Sequence, residues 1–223
     1  MGSWRQSASP RTGGCAASAR SRRRPSSPPS HDRPLGRLIV VSGPSGAGKS
    51  SVVEGLAKLL PFHFSVSMTT REARPGEVEG VDYRFVDRRR FQEAVAAGDL
   101  VEWAEYGGNL YGTPWDEVTG PRHRGQDVLL DIELVGARNV KHAYPEAIMI
   151  FIAPPDLAEL ERRLRARGDT SDADIARRLE VARLQMAEAP GLFEHLVVND
   201  DLGAAVGQVA GILGVVPDPG GPS

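Results

Sequence analysis

The run RLIVVSGPSGAGKSSVVEGLAKLL, Arg37 to Leu60, decides the fold. Leu38 to Val41 form an unbroken apolar run ending at Ser42-Gly43, which predicts a short strand buried on both faces. Gly43 to Ser50, GPSGAGKS, then matches G-x-x-x-x-G-K-[ST] at every position. Beyond it, Val52, Val53, Leu56, Leu59 and Leu60 recur at helical spacing. Strand, glycine-rich turn and helix in that order suit a polyphosphate. Glycines let successive backbone N–H groups curl round the oxygens, and the helix N-terminus adds a favourable dipole. Gly43, Pro44, Ser45, Gly46, Ala47, Gly48, Lys49, Ser50 and Ser51 are therefore read as a nucleoside-triphosphate cradle. Lys49 sets a point charge on the β and γ oxygens, and Ser50 ligates Mg²⁺. The bland alternative is a glycine-rich turn with a surface lysine, and the strand and helix on either side weigh against it.

Outward from this segment, apolar runs at 126–134, 147–155 and 195–200 predict further buried strands. Helical patterns at 135–142, 156–167, 172–188 and 201–214 lie between and after them. Alternation of this kind predicts an α/β fold with a doubly wound parallel sheet, the core comprising 37–65, 114–156 and 177–215. Residues 66–113 break the rhythm, being polar, turn-rich and aromatic, with strand-like pieces near Tyr83–Val86 and Val101–Glu105. Residues 157–176 form a charged helical hairpin. Both are read as insertions, the first mixed α/β and the second a lid with RARGDTSDAD at its tip.

The formal net charge of −2 hides a split. Residues 1–36 carry seven arginines and one acid, leaving the rest of the chain with 20 basic and 28 acidic side chains. An acidic body argues against a nucleic-acid partner, so any anion must be held by a local basic cluster. The tail is rich in Ser, Arg, Pro and Gly without periodic apolar residues, and composition predicts disorder. Organelle targeting and contact with an acidic surface are the alternatives weighed for it. Residues 216–223, ending PDPGGPS, are expected to be loose. Cys15 is the single cysteine, which excludes an intramolecular disulfide and fits a cytoplasmic protein. With no apolar run of membrane-spanning length, a soluble protein is expected; oligomeric state is not legible.

What the phosphate is passed to is read from SVSMTTREARPGE, Ser65 to Glu77. Arg71 and Arg74 offer two guanidinium forks, and Tyr83 a hydroxyl, to a phosphomonoester. Alone, such arginines are as readily solvated or paired with Glu72, Glu77 or Glu79. Farther on, DLVEWAEYGGNLYGTP places Glu102 near Tyr111 and Thr113. A carboxylate accepting two parallel N–H bonds suits guanine, whereas adenine would leave it unpaired. Ser67 and Thr113 hydroxyls can complete the base edge.

In combination, SGPSGAGKSS, FSVSMTTREARPGEVEGVDYRF, VEWAEYGGNLYGTP, LLDIELVGARNVK, FIAPP, RLRARG and VVNDDL resemble guanylate kinase, a P-loop NTPase family, from about Arg37 to Leu213. The resemblance implies Mg²⁺-dependent phosphoryl transfer from ATP to GMP, and to dGMP, within a core, a GMP-binding insertion and a lid. Carried over by position, Arg71, Arg74, Tyr83 and Tyr111 would hold the GMP phosphate, and Ser67, Glu102 and Thr113 would read guanine. Asp131 and Glu133 would face the Mg²⁺ shell and the acceptor, with Asp131 beside Ser50 in the metal site. Arg163 and Arg167 would close over the ATP phosphates, joined by Arg178, and Asn199 would approach the adenine. One departure is visible: DIELVG stands where the family commonly has Asp-Ile-Asp-x-Gln-Gly, so Glu133 is one methylene longer and Val135 lacks an amide.

Two other classes stay in view. A catalytically silent module binding phosphorylated protein segments would reuse Arg71, Arg74 and Tyr83 without needing a complete phosphate loop. A phosphate-loop kinase for another monophosphate would not need Glu102.

Overall fold

The structure is a computed structural model that describes residues 34–166 and 171–215. The expectations for residues 1–33, Arg167 and residues 216–223 lie outside that range.

A five-stranded, wholly parallel sheet forms the core. It comprises β1 (Leu38–Ser42), β2 (His63–Phe64), β7 (Val128–Asp131), β8 (Ile148–Ala153) and β9 (His195–Val198), in the order β2-β7-β1-β8-β9. Period-two alternation sends each strand's apolar residues to both faces. Ile39, Val41, Leu129, Ile150, Ile152 and Val197 pack beneath α1 (Lys49–Leu56) and α7 (Leu202–Ile212). Leu38, Val40, Val128, Leu130, Met149 and Phe151 pack beneath α3 (Trp115–His123) and α4 (Leu134–Ala143). Side chains buried this completely stabilise by roughly 1.5–3 kcal/mol each relative to exposure. The doubly wound α/β core expected from the sequence is present. Helix α1 ends at Leu56; Leu59 is exposed and Leu60 turns back into the core.

Two boundaries differ from the sequence reading. The predicted strand 126–134 stops at Asp131, and Glu133 is the N-cap of α4. A buried strand end and a buried helix start are both apolar, so periodicity cannot separate them. The edge strand β2 is two residues long and carries no apolar run.

Between Ser65 and Pro114 the chain builds a second sheet of β3 (Met68–Thr69), β4 (Arg84–Phe85), β5 (Leu100–Tyr106) and β6 (Asn109–Pro114), ordered β4-β3-β6-β5. Helix α2 (Arg88–Ala97) covers it, burying Phe91 and Ala94. The Arg88–Arg90 run hides this helix from apolar periodicity, yet its capping signals are present. Asp87 Oδ1 accepts from Arg90 N at 2.6 Å, and Gly98 closes the end in the left-handed region. Glu117 of α3 ties the two sheets together. Its buried carboxylate accepts from His63 Nε2 at 2.8 Å, from Val66 N at 3.1 Å, and from Arg84 of β4. Helices α5 (Leu157–Ala166) and α6 (Asp172–Glu188) pack on each other through Leu160, Leu164, Ile175 and Ala182.

Candidate active site

A cavity of about 610 Å³ opens at the carboxyl ends of β1 and β7, where open α/β sheets bind their ligands. The phosphate loop forms one wall, the second sheet the opposite one, and Arg177, Arg178 and Val181 of α6 a third.

Tertiary packing holds the phosphate loop in shape. Gly43 (φ +147°) and Gly48 (φ +89°) adopt conformations that L side chains rarely take. A Cβ at Gly43 would collide with the Ile152 carbonyl, and one at Gly48 with the Asn199 amide. Lys49 Nζ donates to Gly43 O at 2.8 Å across the loop. Asn199, expected near the adenine, is buried behind the loop and donates Nδ2–H to Ala47 O at 2.8 Å. Of the cradle residues, Pro44, Ser45, Gly46, Gly48, Lys49, Ser50 and Ser51 line the cavity, whereas Gly43 and Ala47 lie behind it.

Ser67, Arg71, Arg74, Tyr83, Glu102 and Tyr111 line the same cavity from the second sheet. Arg71 pairs end to end with Glu77, Nη1–Oε2 2.9 Å and Nη2–Oε1 2.8 Å. Glu77 Oε2 also accepts from Arg74 N at 2.7 Å. The pairing with Glu77 that the sequence left as an alternative is thus formed, and it coexists with placement in the cavity. Arg71 lies 5.4 Å from the Tyr83 ring centroid, a cation–π contact, and Tyr83 meets Tyr111 edge-on at 6.1 Å. Burial, with Asp131 nearby, pushes the Tyr83 phenol up to about 12, so it stays a neutral donor.

Glu102 sits on β5 with only 6 % of its surface exposed. Thr113, fully buried on the paired strand, donates Oγ1–H to Glu102 Oε1 at 2.7 Å. Its hydroxyl is committed to the carboxylate and does not line the cavity. Burial raises the Glu102 carboxyl to about 7, partly opposed by the bonds from Thr113. Asp131, at the end of β7, and Glu133, at the start of α4, line the cavity with the phosphate loop. Burial raises both, and the Lys49 charge draws both down. Gln185, which the sequence reading did not single out, donates Nε2–H to Glu133 Oε2 at 3.0 Å from α6.

Among the helical arginines, Arg178 lines the cavity, its Nη1 3.4 Å from Ser45 Oγ. Arg163 lies outside it, bonded to Glu159 Oε1 at 2.7 Å and Asn199 O at 2.9 Å. Arg167 lies outside the described residues. Arg177 and Tyr106 also line the cavity. Tyr106 was signalled by its place in AEYGGNLYG; Arg177 had no signal beyond its neighbour.

The family model described as guanylate kinase matches residues 35–215. A guanylate kinase of Synechococcus sp. (strain JA-3-3Ab) is 50% identical over 186 residues, covering 83% of this chain and 85% of that protein. One from Corynebacterium efficiens is 46% identical over 187 residues, covering 82% and 98%. The crystal structure of guanylate kinase from Anaplasma phagocytophilum is 31% identical with a TM-score of 0.65, covering 81% of this chain and 86% of that one. Phosphate loop, second sheet and comparisons agree: the chain belongs to the guanylate kinase family, whose reaction is phosphoryl transfer from ATP to GMP.

Proposed function

We propose that this chain transfers the γ-phosphoryl group of ATP to GMP, and to dGMP, giving ADP and GDP in the cytoplasm. The observation that carries the reading is Glu102. A buried carboxylate with one oxygen held by Thr113 shares a single cavity with a complete phosphate loop and the Arg71, Arg74, Tyr83 and Tyr111 cluster. In this reading residues 66–113 bind the acceptor, residues 157–176 form the lid, and the remainder of 37–215 is the catalytic core.

Repulsion between two polyanions is the main barrier to meeting end to end, so the site works by neutralisation and alignment. Lys49 exchanges its bond to the Gly43 carbonyl for the β and γ oxygens. Arg71 and Arg74 hold the GMP phosphate, with the Tyr83 and Tyr111 hydroxyls donating beside them. Glu102 accepts the guanine N1–H and exocyclic amine, Ser67 lies along the same edge, and Thr113 fixes the carboxylate from behind. Asn199 braces the phosphate loop. Arg178 is within reach of the ATP phosphates, and Arg163 joins on closure of α5 over the loop, which excludes water.

Mg²⁺ fits the donor set. It typically keeps several waters and takes one or two protein oxygens together with substrate phosphates. Ser50 and Asp131 offer a hydroxyl and a carboxylate to the same cavity. Ser50 and Asp131 would hold the ion, directly or through water, and it would supply positive charge that offsets the phosphates. No helix among the described residues is long and apolar enough to cross a membrane.

The test is ADP production by the full chain with GMP, dGMP, AMP, UMP and CMP as acceptors. Turnover confined to the guanine nucleotides is expected; turnover preferring another base, or none with any acceptor, refutes the reading.

A further inference from the structure

Gly136 is the third residue of α4, inside the helix and buried. Glycine is disfavoured in helix interiors relative to alanine, because its backbone loses more freedom on folding. Its backbone here is not among the left-handed glycines, so no turn calls for it. The reason lies across the gap between the core and the second sheet. A Cβ built on Gly136 would collide with Glu102 Oε2 and lie 3.0 Å from Glu102 Cδ. Its next neighbour, Ile132 Cδ1 at 3.6 Å, is at ordinary contact distance, so the carboxylate is the group in conflict. Ile132 can repack around a methyl group. Glu102 cannot retreat freely, since Oε1 is anchored by the Thr113 hydroxyl at 2.7 Å.

We propose that Gly136 is a specificity-determining positioning residue: the missing side chain is the seat in which the Glu102 carboxylate rests against the first turn of α4. Thr113 places one oxygen from the second sheet, and Gly136 makes room for the other from the core. The carboxylate is thereby referenced to both bodies that must align for transfer. A methyl group at Gly136 turns the carboxylate about its anchored oxygen, away from the guanine edge. This rests on the reading that Glu102 recognises guanine, and the experiment separates the two.

Gly136→Ala and Glu102→Gln are compared with the unmodified chain in steady-state kinetics, varying GMP and ATP separately. Gly136→Ala is expected to raise KM for GMP at least tenfold and to leave KM for ATP within twofold. An unchanged GMP KM in Gly136→Ala, with a raised one in Glu102→Gln, overturns the role of Gly136 and spares the guanine reading. An unchanged GMP KM in Glu102→Gln overturns the guanine reading and this inference with it. Thermal unfolding supplies a readout independent of substrate, and covers the case in which Gly136→Ala folds poorly. The substitution is expected to lower the midpoint in the native background and to leave it unchanged or raised when combined with Glu102→Ala. Failure of Glu102→Ala to relieve the loss would show that the collision is not with the carboxylate, and would also overturn the proposal.

Discussion

Arg71, which lines the cavity, meets Glu77 as a two-bond ion pair, and the same carboxylate accepts the backbone N–H of Arg74 at 2.7 Å. One side chain therefore fixes the Arg71 guanidinium and the backbone at Arg74. The pair holds the Arg71 guanidinium further above its ordinary range and Glu77 below its own. Preorganisation of this kind reduces the ordering that GMP must otherwise impose on binding.

Glu77→Gln is accordingly expected to raise KM for GMP by about tenfold, the loss of one charge-assisted contact. KM for ATP and the thermal midpoint should hardly change. Titration with GMP and with ATP checks the split; a tighter GMP complex would mean that Glu77 competes with the phosphate instead of organising its clamp.

Lys49→Ala removes a cation aimed at developing charge on the transferred group. Turnover is expected to fall by about 10²–10³, the cost typical of losing one such donor. The midpoint should stay close to that of the unmodified chain, because among the described residues Lys49 Nζ makes one hydrogen bond, to the Gly43 carbonyl. Turnover near normal would place ATP elsewhere.

The Glu102 carboxyl is raised to about 7 by burial. A raised folded-state pKa contributes stability that is present below the unfolded value and lost as pH rises through the folded one. The unliganded protein should thus lose stability between about pH 4.5 and 7 on account of Glu102, on the order of 3 kcal/mol in all. Glu102→Gln should flatten that slope in thermal melts, while raising KM for GMP. In the native chain GMP affinity should weaken on acidification below about pH 7, since only the ionised carboxylate accepts both guanine N–H groups. Guanine-dependent binding that persists unchanged at pH 5.5 would contradict this.

Asn199→Ala leaves the buried Ala47 carbonyl without its donor. Destabilisation of about 1–3 kcal/mol is expected, with KM for ATP raised several-fold and KM for GMP preserved. For a domain of this size the midpoint should drop by roughly 2–4 °C per kcal/mol. A melt and two substrate titrations suffice; a selective effect on adenine discrimination without loss of stability would point to contact with the base.

The phosphate loop, the strand–helix alternation and the placement of Arg71 and Arg74 at one cavity were legible in the amino-acid order, because each is carried by neighbours along the chain. Spacing alone makes G-x-x-x-x-G-K-S a cradle, and an apolar run alone marks a doubly covered strand. Helix α2 escaped because three arginines cover an amphipathic pattern only two buried residues wide. The short β2 escaped because its edge position demands so little apolar surface. Folding decided everything that depends on residues remote in sequence. Asn199 reaches Ala47 across 152 positions and holds the loop from behind. Glu77 occupies Arg71, and Gly136 opens a seat for Glu102. A local pattern states which groups a segment can offer; which of them face one another depends on where the packed sheets and helices leave room, and that is a property of the whole core.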